Sequence, residues 1–116
     1  LNVVSEVQLV VSGGIRSGAD VAKALALGAD AVAIGQGALM AMGCNSAHWV
    51  QNEKLVDATP EYESLGISPG FCHHCQSGRC PVGITTQDAD LTTRLSPEWG
   101  ARRLKNYLQV VNKNQN

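Results

Sequence analysis

Residues 10–39 read VVSGGIRSGADVAKALALGADAVAIGQGAL, and they contain the pattern that decides the fold. The β-branched, apolar run at residues 7–11 predicts a buried strand that ends at the turn formed by residues 12–14. A second apolar run at residues 31–35 predicts another strand, and residues 37–42 have the composition of a helix that follows it. Each predicted strand therefore ends at glycine.

Between the two strands, Ser17 and Asp20 have the Ser-x-x-acid spacing of a capping box, which predicts a helix that begins there and ends at Gly28. The resulting β-α-β-α order implies parallel strands with right-handed crossovers, as in α/β barrels and doubly wound sheets. Two parallel strands do not make a stable sheet by themselves. We therefore expect the chain to be the C-terminal part of a larger domain or to dock on further protein.

The two glycine turns predict a phosphate site. Glycine at the carboxyl end of a strand allows backbone N–H groups to approach a ligand, and each turn leads into the positive end of a helix dipole. One such turn is explained equally well as a tight βα connection, but two in succession favour phosphate binding. An arginine beside the first turn could add a charged contact. The candidate residues are Ser12, Gly13, Gly14, Arg16, Gly35 and Gln36.

Residues 10–39 resemble the seventh and eighth βα units of the FMN-dependent α/β barrels. That group includes glutamate synthase, the hydroxyacid oxidases and type 2 isopentenyl diphosphate isomerase, and IMP dehydrogenase has a similar run. The resemblance implies that the chain contains the C-terminal part of a (β/α)8 TIM barrel and that the six turn residues hold the phosphate of FMN. It does not choose among these enzymes.

The cysteines predict a metal centre. Three of the four cysteines follow the spacing Cys72-x2-Cys75-x4-Cys80-Pro, and Cys44 lies upstream. Thiolates suit both zinc and iron-sulfur clusters. Structural zinc sites usually have two short Cys-x2-Cys knuckles, and only one is present here. The spacing therefore favours an iron-sulfur cluster.

Met-Gly-Cys at residues 42–44 and CQSGRCPVGITTQD at residues 75–88 resemble the cluster region of the glutamate synthase family. The hydroxyacid oxidases and IMP dehydrogenase lack this arrangement. In the glutamate synthase family three cysteines hold a 3Fe-4S cluster beside the flavin. The ligands that the resemblance implies are Cys44, Cys75 and Cys80.

The sequence departs from the family pattern at two places. An insertion separates Cys44 from the other cysteines, whereas the family typically places the first two cluster cysteines a few residues apart. Cys72 is also surplus to a three-ligand site. It would permit a 4Fe-4S cluster, or it could replace Cys44 as a ligand, and the spacing leaves this open.

The resemblance implies a glutamate synthase-like oxidoreductase, in which reduced FMN delivers hydride to 2-iminoglutarate, formed from 2-oxoglutarate and ammonia, to give L-glutamate. Its implied partners are the rest of the barrel or a partner subunit, an ammonia-supplying glutaminase, and a ferredoxin or an NAD(P)H-oxidising subunit. Catalytic groups should lie on earlier strands, so none is assigned here. An N-methylglutamate synthase subunit would look similar. The alternatives are a noncatalytic metal-binding electron-transfer or assembly module and another FMN-dependent barrel.

The composition excludes several other classes of function. The 116 residues are 44% hydrophobic and 16% charged, with a formal net charge of −1, and no basic run suggests nucleic-acid binding. No apolar stretch approaches the roughly 20 residues of a membrane span. Because no secretory pattern opens the chain and a tight cysteine group is more typical of metal chemistry than of disulfides, we expect a cytoplasmic protein.

These patterns divide the chain into three predicted segments. Residues 1–43 contain the last two βα units, and residues 44–95 form an irregular segment that binds the cluster. Residues 96–116 contain a terminal helix capped by Ser96, with Pro97 at its first position, and a polar tail. The predicted apolar stripe of this helix consists of Ala101, Leu104, Leu108 and Val111.

Overall fold

The computed structural model describes residues 6–113, which fold as a mixture of helices and strands in two compact units. The first unit contains residues 6–39 and 104–113, and the second unit contains residues 40–103. The outer ends of the predicted segments, at residues 1–5 and 114–116, lie outside the described residues.

The first unit contains a parallel β-α-β motif. Its elements are β1 (Val10–Ser12), α1 (Gly18–Ala26) and β2 (Ala31–Ala33), followed by α2 (Gln36–Met42). The strands pair in parallel, with Ser12 opposite Ala33, which confirms the predicted topology. Both strands are shorter than predicted. The ladder begins only at Val10 because the N–H of Leu9 donates to Oδ2 of Asp30 (2.7 Å).

Both predicted ends of α1 are confirmed. The side chain of Ser17 accepts from the N–H of Asp20, and the carboxylate of Asp20 accepts from the N–H of Ser17. At the other end Gly28 has φ 110°, and its N–H donates to the carbonyl of Leu25. The next N–H, that of Ala29, donates back to the carbonyl of Ala24. These two bonds form a Schellman motif.

We expect acid to weaken the N-terminus of α1 through Asp20. The backbone N–H of Arg16 is the main reason that the pKa of Asp20 lies below its ordinary value of 3.8. A depressed folded-state pKa stabilises the fold above the unfolded pKa of about 3.9 and loses this effect as the pH falls through the folded value. Asp20→Asn in the full-length protein should therefore lower the free energy of unfolding at neutral pH, by a difference that shrinks in acid. A difference that is constant down to the acid limit would contradict this.

The C-terminal part of α5 (Pro97–Lys113) packs into the core of the first unit. Ile15, Val21 and Val111 are buried together, and Tyr107 packs against them. The predicted stripe on this helix is partly wrong. Val111 is buried and Leu104 half-buried, but Ala101 and Leu108 are exposed. The inward face therefore runs through Leu104, Tyr107 and Val111, because the aromatic residue supplies the contact that the apolar spacing assigned to Leu108.

The second unit corrects the prediction of an irregular segment from residue 44 to residue 95. It contains β3 (His48–Gln51), β4 (Lys54–Asp57), α3 (Thr59–Ser64) and α4 (Ala89–Thr92). The strands form an antiparallel hairpin. Its two turn residues, Asn52 and Glu53, have φ of 50° and 62°. Such turns usually carry glycine, and its absence here hid the hairpin.

The part of the second unit that remains irregular carries most of the cysteines. Between α3 and α4, the described residues 65–88 contain no helix or strand. Part of this segment packs on a small core in which Ala58, Tyr62, Cys80 and Val82 are buried. Among the helices of residues 6–113, none has the length and apolar character that crossing a membrane would require.

Candidate functional site

The two predicted phosphate turns are neighbours in the first unit. Because Ser12 is paired with Ala33, the turns after β1 and β2 leave the same edge of the two-stranded sheet. Gly13 and Gly14 have φ of 101° and 71°, and a Cβ placed on either would meet nothing within 4 Å. The structure thus brings Ser12, Gly13, Gly14, Gly35 and Gln36 to one exposed edge. Their backbone is open to a ligand, as an anion site requires.

Arg16 has a different environment from the one that the sequence suggested. Its Nε lies 4.0 Å from Oδ2 of Asp20, and its backbone N–H donates to the same oxygen. The N-terminus of α1 is therefore already satisfied by a carboxylate of its own chain. A bound phosphate would rely on the glycine turns more than on this helix end, and the side chain of Arg16, 81% exposed, would have to leave Asp20 to reach it.

Tyr107 supports these turns, and the sequence analysis missed it. Its hydroxyl donates to the carbonyl of Arg16 (2.8 Å), across 91 positions of sequence. Gly37, which follows the second turn, leaves room for the same hydroxyl. Tyr107 lies three residues after Leu104 and four before Val111. Its helical spacing with them was the available signal.

Gly37→Ala should destabilise the first unit, because the new Cβ would lie 2.5 Å from Oη of Tyr107 and 3.3 Å from the carbonyl oxygen of Ile15. Overpacking of this kind costs about 1–3 kcal/mol. Tyr107→Phe alone removes one hydrogen bond, about 1 kcal/mol. The double variant should lose less free energy of unfolding than the two single variants together, because removing the Tyr107 hydroxyl also removes the clash. Denaturant unfolding of the full-length protein measures this. Strict additivity would show that the two groups do not meet.

The four cysteines are free thiols that differ in exposure. Cys80 is buried, Cys44 and Cys72 are half-buried, and Cys75 is exposed. In the described residues, no three histidine, cysteine, aspartate or glutamate side chains are arranged to hold a metal ion. Burial is the main reason that the pKa of Cys44 is raised, and Cys75, Cys80 and Cys72 raise it further. All four cysteines lie in the second unit.

The surroundings of Cys80 lower the pKa of its thiol. Burial by itself would raise the pKa of its thiol, but the backbone N–H groups of Thr85, Ile84 and Val82 outweigh this effect and leave the pKa below its ordinary value. The N–H of Ile84 donates to Sγ at 3.4 Å. Donors that stabilise a thiolate are typical of sulfur ligands in metal centres.

Asn45 links Cys44 to Cys72. Its side-chain oxygen accepts the N–H of Cys72 (2.7 Å), and its Nδ2 lies 3.8 Å from Sγ of Cys44. Asn45 itself has φ 60°, a conformation that asparagine tolerates better than most residues. This one amide holds together two cysteines that are far apart in the sequence.

Tyr62, on α3, adds a buried hydroxyl to the cysteine group. The residue is 0% exposed and shares the buried core with Cys80, against which Cys72 also packs. Burial raises the pKa of Tyr62, and Cys72, Cys44 and Cys80 raise it further, so the hydroxyl keeps its proton. Within residues 6–113 its Oη has no hydrogen-bond partner. The sequence analysis missed Tyr62 because no local pattern connects it to the cysteines.

Arg94 secures the loop that carries Cys80. Its Nη1 donates to the carbonyl of Pro81 (2.9 Å), and its Nη2 lies 3.3 Å from Oε1 of Glu61. The guanidinium carbon is 4.7 Å from the ring centroid of Trp49. One side chain, 16% exposed, thus ties the Cys-Pro step to α3 and to the hairpin.

The structure so far describes a mixed α/β protein with open glycine turns in one unit and four grouped thiols in the other. A family model described as a conserved region in glutamate synthase matches residues 2–54 and 64–116. The chain belongs to the glutamate synthase family, which confirms the resemblance seen in the sequence. The internal stretch that the model leaves unmatched, residues 55–63, runs from β4 into α3 and includes Tyr62.

Curated proteins show the same relationship. The chain is 57% identical over 106 residues to a glutamate synthase large subunit-like protein of Rhizobium meliloti (strain 1021), covering 91% of this chain and 22% of the relative. It is 46% identical over 102 residues to an archaeal-type glutamate synthase [NADPH] of Thermotoga neapolitana, covering 88% of this chain and 15% of that relative.

A more distant relative is the ferredoxin-dependent glutamate synthase of Pyropia yezoensis, 31% identical over 90 residues, covering 78% of this chain and 4% of that protein. The chain thus spans less than a quarter of the length of each of these relatives. No solved structure matches it.

Proposed function

We propose that this chain is part of an FMN-dependent, glutamate synthase-like oxidoreductase that forms L-glutamate from 2-oxoglutarate and ammonia through 2-iminoglutarate. The observation that carries the proposal is the presence of four thiols in the second unit, with the N–H of Ile84 donating to Sγ of Cys80, in a member of the glutamate synthase family. The same family includes relatives named for NADPH and for ferredoxin.

The residues present fit the cofactors that the family implies. The glycine turns leave space where any larger residue would place a Cβ, which suits the phosphate of FMN. Ser12, Gly13, Gly14, Gly35 and Gln36 would bind it through their backbone, and Arg16 through its side chain. We propose that this segment is the C-terminal part of a (β/α)8 barrel. The exposure of β1, where Val10 is 62% exposed, suits pairing and packing against the other strands of such a barrel.

Soft thiols, and a buried hydroxyl that has no partner within residues 6–113, fit an iron-sulfur cluster. We propose Cys44, Cys75 and Cys80 as the ligands of a 3Fe-4S cluster. A 4Fe-4S cluster with Cys72 as fourth ligand is the second candidate, because Asn45 ties the backbone of Cys72 to Cys44 and Cys72 packs against the core that contains Cys80.

When bound, the flavin supplies hydride chemistry and the cluster supplies single electrons. The residues of this chain bind and orient these groups. The glycine turns would bind the phosphate of the flavin. The N–H groups around Cys80 stabilise negative charge on its sulfur, and Arg94 holds the Cys80 loop in place. We propose that further parts of the enzyme, in a cytoplasmic assembly, supply ammonia from a glutaminase and electrons from ferredoxin or an NAD(P)H-oxidising subunit.

The test uses the full-length protein purified without added metal. We expect bound FMN, iron and acid-labile sulfide, and glutamate formation from 2-oxoglutarate and ammonia with a chemical or ferredoxin electron donor. Parallel assays with methylamine distinguish an N-methylglutamate synthase. A protein with iron and sulfide but no flavin and no turnover would support a noncatalytic electron-transfer module. A colourless protein without flavin, iron and sulfide would contradict the proposal.

A further inference from the structure

The side chain of Tyr62 is fully buried, and its Oη has no hydrogen-bond partner within residues 6–113. Leaving a buried hydroxyl unpaired is unfavourable because its desolvation is not compensated, so buried tyrosine hydroxyls nearly always have a partner. An unpaired hydroxyl in a small core that also holds cysteines indicates an acceptor that binds there.

The surroundings of Tyr62 restrict what that acceptor can be. The residue is buried together with Cys80, and Cys72 packs against the same core. A tyrosine hydroxyl can donate one hydrogen bond to a nearby acceptor. The sulfur atoms of a cysteine-held cluster are such acceptors.

We infer that Tyr62 donates a hydrogen bond to a sulfur of the cluster and thereby raises the reduction potential of that cluster. This inference rests on the proposed function. Reduction adds one electron to the cluster, and a hydrogen-bond donor stabilises the more negative, reduced form more than the oxidised form. Tyr62 is a positioning and tuning residue and takes no part in the chemistry of the substrate.

The place of Tyr62 in the sequence gives the inference a second consequence. Tyr62 lies in residues 55–63, an internal stretch that the family model leaves unmatched. The cysteines all lie in the matched ranges. The proposed donor therefore lies outside the ranges that the family model matches, whereas the proposed sulfur ligands lie inside them.

The test is Tyr62→Phe in the full-length holoprotein, which removes one oxygen atom and keeps the ring. We expect iron and sulfide to stay at the wild-type level, while the equilibrium constant for one-electron reduction of the cluster falls about tenfold, or about 59 mV. Potentiometric titration followed by visible absorption or EPR measures this. Equal potentials for the two proteins, with the cluster intact in both, would overturn the inference and leave the proposed function standing.

Tyr107→Phe is the matched control, because it makes the same deletion in the first unit, which contains no cysteine in its described residues. Its cluster potential should equal that of the wild type, and an equal fall in both variants would overturn the inference. If Tyr62→Phe loses its cluster, fluorotyrosine incorporated into the wild type gives the second measurement. Its more acidic hydroxyl should raise the potential, and no change would overturn the inference. If the wild-type protein contained no iron and no sulfide, that result would contradict the proposed function itself.

Discussion

Replacing Cys80 by serine should strip the iron and sulfide of the proposed cluster from the full-length protein and abolish the proposed glutamate formation. Cys80 is the buried thiol, and backbone N–H groups hold its pKa below the ordinary value. A serine hydroxyl at the same place stays protonated and is a poor ligand for iron. Iron and sulfide analysis, together with the visible spectrum, measures the loss. A Cys80→Ser protein with wild-type iron content would contradict the assignment of this residue as a ligand.

Cys72→Ser is the matched control for that experiment. If the cluster has three irons held by Cys44, Cys75 and Cys80, this variant should keep its iron and its EPR signal. If Cys72 is the fourth ligand of a four-iron cluster, the variant should yield a three-iron signal or lose the cluster. The comparison thus decides whether Cys72 is a ligand of the cluster.

Replacing Arg94 by alanine should destabilise the second unit strongly. The change removes a charged hydrogen bond to the carbonyl of Pro81, a stacking contact with Trp49 and an ion pair with Glu61. A charged hydrogen bond contributes about 1.5–3 kcal/mol and a partly buried cation–π contact about 1 kcal/mol. Glu61 is 40% exposed, so its ion pair adds little. The total, about 3 kcal/mol, is a large part of the 5–15 kcal/mol that stabilises a typical domain.

The measurement is denaturant unfolding and limited proteolysis of the full-length protein. Arg79→Ala provides the control, because Arg79 is an exposed arginine in the cysteine loop, and its loss should change stability by no more than about 0.5 kcal/mol. Arg94→Lys should fall between the two, since lysine keeps the charge but cannot donate in two directions from a planar group. If Arg94→Ala behaved like Arg79→Ala, the three contacts would be shown to be dispensable.

Local signals in the sequence were sufficient for the elements whose ends depend on nearby residues. The capping box at Ser17 and Asp20, the end of α1 at Gly28 and the start of α5 at Pro97 were all predicted correctly. Each depends on hydrogen bonds or backbone angles within a few residues. The family was likewise recognisable, because its cysteine and glycine motifs are contiguous. The hairpin was missed because Asn52-Glu53 adopts a turn without the glycine that usually marks it.

The sequence by itself determined the parallel β-α-β unit, the glycine turns and the family, since these reside in short runs of neighbouring residues. Only the tertiary structure decided that Asp20 also accepts from the N–H of Arg16, that Tyr107 supports the turn at Arg16, and that Asn45 joins Cys44 to Cys72. It also decided that Tyr62 lies buried with Cys80. Most of these contacts join residues that are far apart in the chain. Even the hydrogen bond from the N–H of Arg16 to Asp20, only four residues away, depends on the conformation of the Asp20 side chain. Contacts between residues that are far apart in the chain leave no local pattern in the sequence, so the tertiary structure is needed to reveal them.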